Sequence, residues 1–253
     1  MSARAAPPVL RLTQVSRVFG GLRAVDRLSL DVADGERVAV IGPNGAGKTT
    51  LFNLVSGEVA PSEGRVEALG RDITRWPPHR RAALGLGRTY QLTNLFPRLT
   101  VLENLLLAAA ALDGARRSML RPIRRFAHLY ERAEALLARL GLAEARDTPA
   151  WQLSYGAQRQ LEIALALAGR PRLLLLDEPT AGLSSGETRD MLTVIRDLPR
   201  ALTILLIEHD MAVVFDLCDR IVVLQNGERI ADGSPAAIRR DPRVQRIYLG
   251  TFA

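Results

Sequence analysis

Apolar and polar residues alternate in short runs over residues 9–41, with Leu10 and Leu12 followed by Leu28, Leu30 and Val32. Gly20-Gly21 and Asp34-Gly35 punctuate these runs, and the period of two predicts an antiparallel sheet. Arg37 to Ile41 then reads as a buried strand. From Gly47 the period turns helical through Val55, and Pro61-Ser62-Glu63-Gly64 predicts a turn before another short strand near Arg65 to Ala68. Between Leu92 and Arg170 the period is helical. One stripe holds Val101, Leu102, Leu105, Leu106 and Ala109, and a second holds Leu129, Ala133, Leu136, Leu137 and Leu140. Three β-type runs follow, Leu173 to Leu176, Leu202 to Ile207 and Ile221 to Leu224, with a helical pattern between the first two, which predicts a mostly parallel sheet.

Length and composition narrow the classes this pattern can serve. At 253 residues and 47% hydrophobic content the chain can bury one substantial core. Its longest apolar runs, Leu105 to Leu112 and Leu202 to Ile207, fall well short of the roughly 18 residues that cross a bilayer, so a membrane role is expected to be peripheral. Met1 to Pro8 lack the apolar region of a secretory signal, and the single cysteine, Cys218, cannot form a disulfide within the chain; both point to the cytoplasm. A net charge of +7 suits nucleic acid, anionic lipid or an acidic ligand alike. Six arginines between Arg116 and Arg132 read either as a solvated helix face or as a contact for anionic headgroups. More informative is that 33 of the 34 basic residues are Arg and the lone lysine is Lys48. A position that keeps an ammonium where every other takes a guanidinium calls for a compact point charge on a flexible stem, as phosphate coordination in a tight loop requires.

Lys48 lies in Gly42-Pro43-Asn44-Gly45-Ala46-Gly47-Lys48-Thr49, a phosphate-binding loop pattern placed directly after a buried strand and opening a helix. Its glycines let backbone N–H groups turn inward around a β-phosphate, Lys48 neutralises β- and γ-oxygens, and Thr49, followed by Thr50, offers a hydroxyl to Mg²⁺. Leu173 to Leu176 end in Asp177-Glu178, two carboxylates at a strand end: Asp177 suits the Mg²⁺ shell, and Glu178 can polarise an attacking water as general base. Gly85-x-Gly87 lacks the third glycine of a dinucleotide fingerprint, and no His or Cys spacing builds a zinc site. His79 and His128 read as surface residues, whereas His209 follows a strand and could reach a γ-phosphate.

Leu153-Ser154-Tyr155-Gly156-Ala157-Gln158, just upstream of Asp177, resembles the signature motif of the ABC ATPases. Ser154 and Gly156 precede a helix, so hydroxyl, amides and helix dipole could face a phosphate there. The resemblance covers essentially the whole chain: Gln91 matches the family's Q-loop glutamine, a catalytic and Mg²⁺-associated residue, Ala181 to Ser184 the D-loop, and His209 the switch histidine. It implies a fold of class α/β, a phosphate-loop NTPase core with a mostly parallel sheet, an N-terminal antiparallel β subdomain and an inserted α-helical subdomain. One ABC ATPase domain over 1–253 would comprise 1–91 and 171–253 as core lobe and 92–170 as helical and signature lobe. It further implies ATP and Mg²⁺ as cofactors, and a second ATPase subunit paired head to tail as a homo- or heterodimer. Each ATP would then lie between one phosphate loop and the partner's signature, with Phe19 stacking on adenine. Two positions depart from the family pattern: the signature's first Gly is Tyr155, and the D-loop Asp is Ser184.

Arg88-Thr89-Tyr90-Gln91, Leu95-Phe96, Leu99 to Leu105, Ile207 to Met211 and the terminal Tyr248-Leu249-Gly250 look like the branched-chain amino-acid importer ATPases, the larger of that system's two ATPase subunits. Urea and short-amide importers share the subfamily. Two membrane permeases, one of whose coupling helices would dock by Leu92 to Thr100, and indirectly a solute-binding protein are the implied partners, with the chain peripheral on the inner face of the plasma membrane. Two other classes compete: a non-transport ABC ATPase acting on nucleic acid or ribosomes, and a phosphate-loop kinase. The first would carry sustained heptads or a second cassette, which the chain lacks, so no nucleic-acid partner is expected. A kinase has no use for the signature, Q-loop and switch histidine.

Overall fold

The computed structural model describes residues 7–89, 95–113 and 122–248. In chain order the elements are β1 (Leu10–Phe19), β2 (Leu22–Val32), β3 (Arg37–Ile41), α1 (Lys48–Ser56), β4 (Glu63–Ala68), β5 (Arg71–Asp72), α2 (Pro78–Leu84), β6 (Leu86–Arg88) and α3 (Val101–Ala111). There follow α4 (Ala127–Arg139), α5 (Tyr155–Ala168), β7 (Leu173–Asp177), α6 (Ser185–Arg196), β8 (Thr203–Ile207), α7 (Met211–Leu217), β9 (Arg220–Gln225), β10 (Glu228–Gly233), α8 (Pro235–Arg240) and α9 (Pro242–Ile247). The chain divides into two units, one built from the segments up to Leu84 and from Pro199 onward, the other from Gly85–Leu198. The strands β6 and β7 and helix α6 therefore group with the helices of the 92–170 interval.

The first unit holds an antiparallel sheet in the order β2-β1-β4-β5. Its apolar alternation changes phase at two points, because Leu12 and Val15, like Val25 and Leu28, are three apart yet all buried. Gln14 and Arg27 absorb the extra residue with positive φ values of 49° and 41°, and the register of β1 on β2 shifts between Leu12 and Val15. Such bulges return the next apolar residue to the inward face. In the same unit β3 pairs in parallel with β8 on one side and β9 on the other, and β10 adds antiparallel to β9. Every residue of β3 and β8 is buried, and both are apolar after a first polar residue, Arg37 and Thr203.

Helix α1 ends against a buried cation. Arg81 is 1% exposed, and its guanidinium donates to the carbonyls of Leu54 (2.6 Å) and Val55 (2.9 Å) in the last turn of α1, and to Trp76 (2.9 Å) and Thr74 (3.2 Å). The last carbonyls of a helix have no partner within it, and a cation there also meets the negative end of the dipole. Desolvation lowers the Arg81 pKa to about 10, so the side chain stays charged at neutral pH.

In the second unit β6 and β7 form a parallel pair. The helical stripes lie inward as their period requires: Val101, Leu102, Leu105, Leu106 and Ala109 of α3 are buried, as are Leu129, Ala133 and Leu137 of α4 and Leu140 beyond it. Leu136 is only half-buried. Asn104, buried among these apolar residues, bonds through its amide to the backbone N–H and C=O of Phe96 and to the carbonyls of Leu99 and Thr100, pinning the segment before α3. His79 and His128 are exposed. Among the described residues no helix is long and apolar enough to cross a membrane.

Replacing Arg81 by Met keeps much of the apolar volume and deletes every donor. We expect Arg81→Met to lower the free energy of unfolding by about 3 kcal/mol, because four carbonyls lose a charged partner and two of them cap α1. A urea midpoint equal to that of the unsubstituted chain would contradict this account.

Candidate nucleotide site

The phosphate-loop segment leaves the C-terminal end of β3, and the Glu208-His209 segment leaves the C-terminal end of its parallel neighbour β8. Val40 pairs with Ile207, which sets Gly42 and His209 at the same level of the sheet. In open α/β sheets this end is where ligands sit. The loop closes tightly, for a Cβ at Gly42 would lie 2.3 Å from the Leu224 carbonyl oxygen and one at Gly47 2.3 Å from that of Ala24. Gly47 also has φ 100°, a conformation that side chains resist. Behind the loop, Ala46 N–H donates to Pro43 O (3.1 Å), and Gly227 N–H donates to Ala46 O (3.1 Å).

Lys48 is buried and folds back over the loop, donating from Nζ to the carbonyls of Gly42 (2.6 Å) and Pro43 (3.1 Å). Helix α1 opens at Gly47 with no side-chain cap and no acid in its first turn, so nothing of its own sequence neutralises the positive end of its dipole. Asn44, Gly45 and Thr49 are exposed, and Pro43 and Thr50 are half-buried. Tyr248, which the terminal motif singled out without a structural role, is half-buried. Burial pushes its hydroxyl up to about 12, and the Gly42 backbone works in the opposite sense.

Phe19 ends β1 with its side chain 43% exposed, and the Arg17 guanidinium lies 4.4 Å from its ring centroid. One face of the ring is therefore held by a cation. His209 is exposed, and its backbone N–H donates to the fully buried Glu208 carboxylate at 3.1 Å. Its ring Nδ1 stands 3.8 Å from the same carboxylate.

In the second unit Asp177 ends β7 and is 2% exposed. Its N–H donates to the Thr89 hydroxyl (3.2 Å), and Arg88 Nη2 lies 3.4 Å from Oδ2. Glu178, next along the chain, is half-buried with φ 47°, a sparsely populated conformation for a non-glycine residue. Gln91 follows the same β6 end that carries Arg88 and Thr89 but lies outside the described residues, as do the lengths 90–94, 114–121 and 249–253 of the segments read above.

The signature residues open α5. Ser154 is its N-cap, accepting from Ala157 N–H at 3.2 Å, and the Gln158 side-chain amide turns back to the carbonyl of Leu153 (3.2 Å). Tyr155, in place of the family's glycine, donates from its hydroxyl to Ala181 O (3.3 Å) and accepts from Arg159 Nε (3.1 Å). Arg159 is itself buried against Glu162 at 2.9 Å. Ser184 caps α6 in a reciprocal box with Glu187, a residue the sequence reading passed over although Ser-x-x-Glu before a helix signals that box. The hard oxygens of Thr49 and Asp177, a hydroxyl and a buried carboxylate, are the donor types Mg²⁺ takes.

Known proteins resemble this chain over most of its length. Residues 25–181 match the family model described as ABC transporter, and residues 228–253 match that of the branched-chain amino acid ATP-binding cassette transporter. The high-affinity branched-chain amino acid transport ATP-binding protein LivG of Salmonella typhimurium is 42% identical over 250 residues, covering 96% of this chain and 98% of that protein. Among solved structures, the ATP-binding cassette MJ1267 of an ABC transporter superposes with a TM-score of 0.84 at 33% identity over 97% of this chain and 100% of that one. A dimeric, ADP- and phosphate-bound ATP-binding cassette, MJ0796, superposes with 0.76 at 26% identity over 89% and 98%. The chain belongs to the ATP-binding cassette family of the ABC transporters.

Proposed function

We propose that this chain is the ATP-hydrolysing subunit of an importer for branched-chain or other hydrophobic amino acids. The observation that carries the reading is a closed phosphate loop with Lys48 folded over it, in a chain that parallels LivG along nearly its whole length and matches the branched-chain model at its C-terminal end. Residues 1–91 and 171–253 then act as the core lobe, and 92–170 as the helical and signature lobe, of one ABC ATPase domain. ATP phosphates take their places beside the loop of residues 42–50, where Lys48 exchanges its carbonyl partners for β- and γ-oxygens. Phe19 offers its uncovered face to adenine, with Arg17 backing the other.

Thr49 and Asp177, with Gln91, are the residues that would hold Mg²⁺, which supplies neutralisation of the phosphate charge. Glu178 takes the proton of the attacking water while Asp177 faces the metal, so adjacent carboxylates keep separate duties. His209 is the group that meets the γ-phosphate from the end of β8. Ser154, Tyr155, Gly156, Ala157 and Gln158 serve the ATP of a second ATPase subunit, paired head to tail as a homo- or heterodimer. The dimeric state of the MJ0796 cassette supports that pairing. Two permeases would follow the closing and opening of this dimer, with a solute-binding protein delivering cargo from outside. The chain itself would sit on the cytoplasmic face without entering the bilayer.

Glu178→Gln is expected to keep nucleotide binding and to lower phosphate release by about 10²- to 10⁴-fold, the range of a general base, while a dimer accumulates in Mg-ATP by light scattering. Undiminished hydrolysis would remove Glu178 from this role, and full activity in persistent monomers would refute the shared site. Phe19→Ala should weaken ATP binding by about tenfold in a fluorescent-nucleotide titration with little change in kcat, as loss of one stacking platform implies. For the solute, ATPase activity of the complex with its permeases should rise with leucine-loaded binding protein; a rise with urea instead would reassign the cargo.

A further inference from the structure

The first-turn amides of α5 have no partners within the helix, and the chain fills them in two ways. Ser154 takes Ala157 N–H locally. Gly156 N–H is taken by a carboxylate 31 residues away, donating to Glu187 Oε1 at 3.2 Å. The other oxygen of Glu187 accepts from Ser184 N–H at 3.0 Å and from the Ser184 hydroxyl at 2.7 Å. A single carboxylate thus joins the start of the signature helix to the N-cap of α6, which is the last residue of the D-loop segment.

This carboxylate lies where a phosphate oxygen would have to come. A Cβ built on Gly156 would stand 2.7 Å from Glu187 Oε1 and 3.0 Å from its carboxyl carbon, so the space above that residue is filled by the carboxyl group. Gly156 is buried and Glu187 half-buried, and Tyr155 adds a parallel tie through its hydroxyl to Ala181 and its ring beside Gly182. The Ser184 hydroxyl first, then the Ser184 and Gly156 amides, hold the Glu187 carboxyl below the usual range, so it is an anion at neutral pH. Two anions cannot share one amide without strong repulsion. The acid that the family pattern places at 184 is Ser here, and its negative charge is supplied from one helical turn further on.

We propose that Glu187 is the resting occupant of the signature's anion position, displaced from the Gly156 amide by a phosphate of the partner-bound ATP, and that this displacement reports the nucleotide to the D-loop at Ser184. The inference rests on the head-to-tail reading of the signature given above. A resident anion reduces apparent ATP affinity by the fraction of subunits in which the amide is free, and its release alters the cap of α6 in the same event. Glu187 is in these terms a positioning residue with a built-in gate.

The test uses the full chain in the Glu178→Gln background, titrated with Mg-ATP while sedimentation velocity follows the dimer. Adding Glu187→Gln retains an N3 acceptor for the Ser184 cap and removes the charge. The ATP midpoint for dimerisation should fall by about three- to tenfold, the scale of one lost charge-assisted hydrogen bond, with the thermal midpoint of the nucleotide-free chain nearly unchanged. Asp190→Asn removes an exposed charge from the same helix and should leave the ATP midpoint where it was. Glu187→Ala should lower the thermal midpoint through loss of the cap and still shift the ATP midpoint downward. An unchanged or higher ATP midpoint in Glu187→Gln overturns the proposal, as does an equal fall in Asp190→Asn, which would mark a bulk charge effect. If the Glu178→Gln parent forms no dimer in Mg-ATP, the shared-site reading itself falls and this inference with it.

Discussion

The Lys48 ammonium lying on the carbonyls of Gly42 and Pro43 is the interaction on which the first unit's design depends. To bring a lysine from the first turn of α1 back over its own loop, the chain must reverse within six residues, and the reversal presses the loop backbone against Leu224 and Ala24. Side chains at Gly42 and Gly47 would collide there, so the glycines follow from the lysine's position. Strand β3, buried over all five residues, anchors one end of the loop, and α1, whose last turn is held by the Arg81 guanidinium, anchors the other. A rigid strand and a capped helix leave the loop little freedom, which is the preorganisation that phosphate binding needs.

The second unit solves a related problem with carboxylates. Asp177 is fully inside the protein, its backbone N–H on the Thr89 hydroxyl and its carboxylate beside the Arg88 guanidinium, and Glu178 next to it adopts an uncommon backbone conformation. At the other motif of the unit, Glu187 spans two helix starts. Arg88 donates to the Asp177 carboxylate, and the Gly156 amide with the Ser184 cap donates to that of Glu187, so the position of each acid is a property of the packing. The two departures from the family pattern, Tyr155 and Ser184, sit on this same network. Tyr155 binds the D-loop carbonyl of Ala181, and Ser184 takes its negative partner from Glu187. They are alternative ways of linking signature and D-loop.

Much of the architecture was legible from local pattern. The inward stripes of α3 and α4, the buried β3, β7 and β8, and the placement of the phosphate loop between strand and helix all follow from periodicity and motif position, with Leu136 the one stripe member left half-buried. The N-terminal alternation was readable as antiparallel sheet, but its two phase changes were not, because Gln14 and Arg27 carry no turn signature and adopt positive φ only in response to the register of their neighbours. The short elements α2, β5, α8 and α9 left too few periods to be read.

The sequence by itself determined the order and chemistry of the motifs: one lysine in a glycine loop, adjacent acids after an apolar run, and a serine and glycine opening a helix. These are local, since each needs only residue type and spacing. Only the tertiary structure decided which distant groups complete them: Arg81 on the end of α1 from 26 residues away, and Glu187 on the Gly156 amide. Buried donors and acceptors must be satisfied by whatever packing brings within about 3 Å, and packing is a property of the whole chain.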